Sequence, residues 1–219
     1  MIKELIDIHR QLINNPDEII EEVKKLANCK DDQEKYNQLR NSYNENGKTA
    51  AKLWALMLSC TNNMMRFNKS LDFNQTWGKR GWNPATENKV KEFVNHVSKH
   101  KNKIYLSAVN FYDVPIDPKG MYYVDPPYTN TEAGYNAYWS KNLETRLYNY
   151  LREVDKRGGS FALSGIIGEH KDGERAFIID KLIEDGYNHS VLDFGYEKVA
   201  RKKESKNSKE VLIYNYYKV

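Results

Sequence analysis

The sequence predicts an α/β protein, and three observations carry that expectation. Apolar strand-like runs alternate with helical periodicity through the second half of the chain. The first hundred residues read mainly as helices around one short hairpin. One apolar run, Met121 to Val124, stops abruptly at Asp125-Pro126-Pro127-Tyr128. Strands alternating with helices argue a largely parallel sheet wrapped by helices.

Taken in order, Ile2, Leu5, Ile6, Leu12 and Ile13 recur at helical spacing. Asn15-Pro16 then reads as the cap and first residue of a second helix, running to about Ala27. Residues 31–46 are polar and predict a helix leaning on its neighbours through Tyr36, Leu39 and Tyr43, broken by Gly47. Ala50 to Leu58 is apolar almost all round, as in a buried helix. Met64 to Phe67 and Phe73 to Trp77 flank the polar turn Asn68-Lys69-Ser70 and predict a β-hairpin. The loop Gly81-Trp82-Asn83-Pro84 leads to a helix from Thr86 to about His100. A strand is expected over 103–107, then a long loop from Ala108 to Lys119 and the Met121 strand. Ser140 is placed to cap a helix to Lys156, ended by Gly158-Gly159. Ser160 to Ser164 reads as a strand, and Glu174 to Asp185 as a helix closed by Gly186. Val191 to Phe194 and Val211 to Tyr217 bracket a basic loop carrying Arg201, Lys202, Lys203, Lys206 and Lys209. They predict an antiparallel hairpin at the sheet edge.

Composition narrows the class without naming it. A chain of 219 residues can bury a sizeable core. No run approaches a membrane span, and the N-terminus lacks a basic-then-apolar signal, so a cytoplasmic protein is expected. The two cysteines, Cys29 and Cys60, have no paired spacing and suit a reducing compartment as small buried hydrophobes. A net charge of +4 is compatible with a polyanionic partner and too weak to establish one. His96 and His100 stand four apart on the Thr86 helix, but nothing completes a metal set, so no metal is expected. Nucleophile elbows and phosphate-cradling loops are absent.

The chemistry concentrates at Asp125. Two prolines fix the backbone just beyond a strand end, where open α/β sheets bind ligands. The turn offers a carboxylate, a carbonyl and an aromatic face, a set suited to a planar amine gripped through its hydrogens and stacked from one side. Asp125-Pro126-Pro127-Tyr128, followed by Tyr135-Asn136-Ala137-Tyr138-Trp139, resembles the catalytic region of the Dam-like DNA adenine methyltransferases, the D12 class, alpha group. The resemblance implies a Rossmann-like methyltransferase sheet with an inserted, mostly helical target-recognition domain. It implies transfer of a methyl group from S-adenosylmethionine to the exocyclic amine of an adenine flipped out of duplex DNA. In that reading Asp125, Pro126, Pro127 and Tyr128 are catalytic: the Asp125 carboxylate and Pro126 carbonyl accept the two amine hydrogens, and Tyr128 stacks the base. Asp125 and Phe111 would line the cofactor.

The run from Asn63 to Arg80 resembles the recognition hairpin of the same enzymes. Arg66 is expected to read a base, Asn68 and Asn74 to contact DNA beside it, and Lys79 and Arg80 to meet phosphates. The family's turn carries a glycine where this chain has Leu71. A GATC-like site, a place in restriction-modification and a phage or prophage origin are further implications. An RNA- or protein-directed relative is disfavoured, because those usually carry Asn in place of Asp125.

The family's opening Phe-x-Gly-x-Gly motif, which receives the cofactor's methionine part, has no counterpart here, nor has the acidic residue for its ribose. Ser164-Gly165 also departs from a later motif that commonly reads Ser-Asn. The sheet is therefore expected to be incomplete at its N-terminal strands. The organisation expected is helices of the catalytic domain over 1–27, recognition domain over 28–90, and catalytic domain over 91–219. A C-terminal fragment, half of a split enzyme and a decayed DNA-binding remnant all remain open. A second chain or self-association would cover the exposed edge. This polypeptide alone is expected to bind S-adenosylmethionine weakly or not at all, which calorimetry checks: micromolar binding would overturn it.

Overall fold

The structure is a computed structural model and describes residues 2–45, 47–128, 139–167, 176–192 and 209–216. The segment 135–138, the expected helix start at Glu174, Phe194, the basic residues 201–206 and Tyr217 lie outside the described residues. The chain folds into two compact units, 1–108 and 109–219.

The first unit is helical: α1 (Lys3–Asn14), α2 (Pro16–Leu26), α3 (Gln33–Glu45), α4 (Ala50–Ser59) and α5 (Pro84–Ser98). Each start has a local cause. Pro16 and Pro84 occupy first-turn positions, where the missing N–H costs nothing. The Asn83 side chain accepts from the Thr86 amide, and Thr49 Oγ1 from the Lys52 amide. The α4 helix packs against α1, α2 and α3, burying Ala51, Leu53, Ala55 and Leu56, and the Trp54 ring meets Trp82 edge-on at 5.8 Å. Cys29 and Cys60 are buried free thiols, both pushed up by that burial. The α1 and α2 helices, grouped by sequence with the catalytic half, pack on α4 within this unit.

The strand expected over 103–107 does not form. Residues 101–103 make a 3-10 turn, and 104–108 run on without a ladder neighbour. An extended chain becomes a strand by exchanging backbone hydrogen bonds, and pattern alone cannot supply the neighbour. Tyr105 is instead 92% exposed, and the Leu106 carbonyl accepts from Arg10 Nη2.

The hairpin does form, by side-chain support more than by ladder. Phe67 bridges Phe73 and Cys60 bridges Trp77, so seven residue steps on one arm face four on the other. Asn62 and Asn63 absorb the excess with φ of 57° and 56°. From α3, the Asn44 side chain both accepts from the Phe73 amide and donates to its carbonyl, while Tyr36 Oη donates to the Gln75 carbonyl. The turn closes through Asn68 and Asp72, with Leu71 at φ 62°.

The second unit is a two-layer α/β structure. Its elements are β1 (Met121–Val124), α6 (Lys141–Lys156), β2 (Ser160–Ile167), α7 (Phe177–Glu184), β3 (Asn188–Leu192) and β4 (Lys209–Tyr214). The strand order is β1-β2-β4-β3. The β1–β2 pair is parallel, and β4 runs antiparallel to both β2 and β3. The sheet is thus mixed, where alternation predicted a largely parallel one. The expected antiparallel hairpin, β3–β4, stands at the edge. Leu147, Leu151 and Val154 of α6 and Ile178, Ile179 and Leu182 of α7 pack on Phe161, Leu163, Val211 and Ile213 of the sheet. Ser140 Oγ accepts from the Leu143 amide at the start of α6, and Gly158 at φ 88° and Gly186 at φ 85° turn the chain after α6 and α7.

Leu71 is 54% exposed at the hairpin turn, in a conformation that disfavours side chains. Leu71→Gly should therefore stabilise the first unit by about 1 kcal/mol, read as a higher urea midpoint. A lower midpoint would contradict the left-handed turn.

Candidate active site

The parallel register decides what surrounds Asp125. Val124 lies opposite Leu163, so the next pair of residues, Asp125 and Ser164, stand side by side at the end of the β1 ladder. Ser164 Oγ lies 2.8 Å from Asp125 Oδ1 and 3.3 Å from the Val124 carbonyl oxygen. Three residues on, past two half-buried prolines, Tyr128 Oη donates to the same Oδ1 at 3.1 Å. Asp125 is exposed and Tyr128 half-buried. Burial pushes the Tyr128 phenol up, its hydrogen bond with Ser164 pulls it down, and Asp125 adds to the rise. The hydroxyl thus stays protonated and able to donate at neutral pH.

Phe111 lies in a 3-10 turn, Phe111–Asp113, within an aromatic group. Its ring centroid is 5.1 Å from Tyr112, 6.1 Å from Trp139 and 6.2 Å from Tyr150. Arg146 lies over Tyr112 at 3.5 Å. Two open clefts, of ≈ 440 and ≈ 350 Å³, lie elsewhere, around Arg152, Asp155 and Tyr187 near the α6 C-terminus. There Asp155 accepts from Tyr187 and Asn215, a network that ties the end of β4 to α6.

Sequence reasoning missed Ser164 as a site residue. Its signal was one hydroxyl interrupting the apolar run Phe161-Ala162-Leu163-Ser164-Gly165-Ile166-Ile167, since a polar group in a strand must find a partner. Gly165, where the resembled motif has Asn, faces α7, and a Cβ there would collide with Ile179. A side chain at that position requires the end of the Ile179 side chain to move aside.

On the hairpin, Arg66 Nε donates to Asn74 Oδ1 at 3.1 Å, across the two arms. That bond uses Nε and leaves the terminal nitrogens out of it. Asn68 serves the turn: its Oδ1 accepts from the Asp72 amide and its Nδ2 donates to Asp72 Oδ2. Lys79 lies over the Trp77 ring at 5.8 Å, and Arg80 Nη1 donates to Asn63 Oδ1 at 2.6 Å. Arg66, Lys79 and Arg80 are all exposed. His96 and His100 stack at 5.4 Å. Among the described residues no group of three or more His, Cys, Asp or Glu could hold a metal ion, and no helix is long and apolar enough to cross a membrane.

Comparison with known proteins meets this geometry from the other side. The modification methylase LlaI of Lactococcus lactis subsp. lactis is 28% identical over 224 residues, covering 97% of this chain and 34% of that protein. The modification methylase StsI of Streptococcus sanguinis is 28% identical over 209 residues, covering 91% of this chain and 32% of that protein. The type II methyltransferase M.MjaIII of Methanocaldococcus jannaschii is 30% identical over 182 residues, covering 74% of this chain and 62% of that protein. The chain spans about a third of the length of the first two relatives. A family model matches residues 1–207. The chain belongs to the D12 class N6 adenine-specific DNA methyltransferase family.

Proposed function

We propose that this chain carries the target-base corner and the DNA-reading hairpin of a site-specific adenine methyltransferase that uses S-adenosylmethionine. The observation that carries the reading is an exposed carboxylate at a strand end, tethered through one oxygen by two hydroxyls. The exocyclic amine of adenine is a poor nucleophile because its lone pair is delocalised into the ring. Asp125 and the Pro126 carbonyl each accept one of its hydrogens, which draws the nitrogen toward a tetrahedral form and turns the lone pair outward. Acceptors already in place need no reorganisation during the reaction. Pro127 stiffens the corner, and Tyr128 supplies the ring on which the flipped purine stacks, a contact of about 1–3 kcal/mol by analogy with single-stranded recognition.

S-adenosylmethionine supplies the methyl group on a sulfonium. The residues here fit one wall of its site: Asp125 offers negative charge and Phe111 an aromatic surface backed by Trp139 and Tyr150. The rest of that site lies outside these residues, with a second chain or a second copy of this one as one proposed source. In the functional division, residues 28–90 read DNA, while 1–27 and 91–219 belong to catalysis. Arg66, steadied by Asn74, reads a base in the major groove, Asn68 shapes the tip, and Lys79 and Arg80 meet phosphates. A GATC-like target, a cytoplasmic setting and a phage or prophage source go with the same reading. The alternative reading is a module that binds DNA without transferring methyl groups.

Asp125→Ala separates the two readings. Methyl transfer to duplex DNA should be lost while DNA affinity changes less than about threefold, because the carboxylate acts on the amine rather than on the backbone. Methylation surviving at the wild-type rate would exclude Asp125 from the chemistry. Arg66→Ala should weaken binding to the preferred site about 10- to 100-fold, by the worth of a bidentate guanine contact, and leave non-specific binding nearly unchanged. Uniform weakening on every sequence, in fluorescence anisotropy, would make Arg66 a phosphate contact instead.

A further inference from the structure

Asp125 has two carboxylate oxygens, and the structure treats them unequally. Oδ1 takes Ser164 Oγ at 2.8 Å and Tyr128 Oη at 3.1 Å, while among the described residues no hydrogen bond reaches Oδ2. A carboxylate oxygen has two lone-pair sites, and two hydroxyls fill them. Ser164 has one proton to give and three oxygens about it, Asp125 Oδ1 at 2.8 Å, the Val124 carbonyl at 3.3 Å and the Tyr128 hydroxyl, of which the charged Oδ1 is the strongest acceptor.

Resting on the reading above, we propose that Ser164 is a positioning residue: with the Tyr128 hydroxyl it saturates Oδ1, so that Asp125 presents Oδ2 alone to the target amine. A carboxylate pinned at one oxygen cannot rotate about its terminal torsion, which is otherwise broad. The same pair of bonds sets Tyr128. Its hydroxyl is anchored to the carboxylate, so the ring has a fixed plane, and amine acceptor and stacking surface keep one mutual geometry. Ser164 reaches the site from β2, across the parallel pair, and a strand is a stiffer support for such a contact than a loop.

Two kinds of measurement test this. In steady-state methyl transfer, Ser164→Ala should lower kcat about tenfold, the worth of one hydrogen bond to a charged group, with KM for DNA changed less than about twofold. Ser164→Thr keeps the hydroxyl and should recover most of that loss, and Tyr128→Phe, which keeps the ring, should resemble Ser164→Ala. Wild-type kcat in Ser164→Ala, or an equal loss in Ser164→Thr, overturns the proposal. The second measurement needs no turnover: affinity for a duplex carrying one bulged adenine against the same duplex with a bulged unsubstituted purine, which lacks the amine. The wild type should prefer adenine about tenfold, and Ser164→Ala should lose most of that preference. Full preference in Ser164→Ala sinks the positioning role alone. A wild type with no preference sinks Asp125 as the amine acceptor, and the role of Ser164 falls with it.

Discussion

The parallel pairing of β1 with β2 is the constraint on which the second unit depends. Side chains alternate along a strand, so a slip of one residue would turn Ser164 to the face covered by α6 and α7 and bring Leu163 or Gly165 beside Asp125. Leu163 and Phe161 hold the register, because they are buried against those helices and cannot be exchanged for their polar neighbours without loss. Gly165 faces α7 on the same side, where the end of the Ile179 side chain fills the space a Cβ would take. The chemistry at Asp125 is thus fixed by apolar packing beneath the sheet.

What the sequence makes legible follows the range of each signal. Helix starts at Asn15-Pro16 and Ser140, and turns at Gly158 and Gly186, are written within four or five residues, and the structure follows them, while the helix expected from Thr86 begins two residues earlier, at Pro84 behind the Asn83 cap. The end of β1 at Asp125 is equally local, because two prolines cannot continue a ladder. Direction and partnership are not local. Nothing in Val211 to Tyr214 says that β4 runs against β2, and nothing in residues 103–107 says that a strand-like pattern finds no neighbour. The contact of Ser164 with Asp125 spans 39 residues and exists through register alone, which is why the corner was readable and its second support was not.

The hairpin illustrates a different division of labour. Its arms exchange few backbone bonds with one another, and α3 compensates with Asn44, which satisfies both the amide and the carbonyl of Phe73 as a neighbouring strand would. The slipped register coincides with the left-handed backbone of Asn62 and Asn63, just before the Met64 to Arg66 stretch. Arg66 stands on that arm with its orientation shared with Asn74. Leu71, in the backbone conformation where the resembled hairpins carry glycine, keeps the turn and accepts the steric cost.

Among the described residues β1 pairs on one side only, and its outward side chains Met121 and Tyr123 are 56% and 68% exposed. A short unpaired strand with apolar outward residues is a template for further strands. For anyone handling the isolated chain, keeping it in solution therefore calls for a low protein concentration. A lysine introduced at Tyr123, on the face away from α6 and α7, is the substitution that natural sheet edges use to stay single.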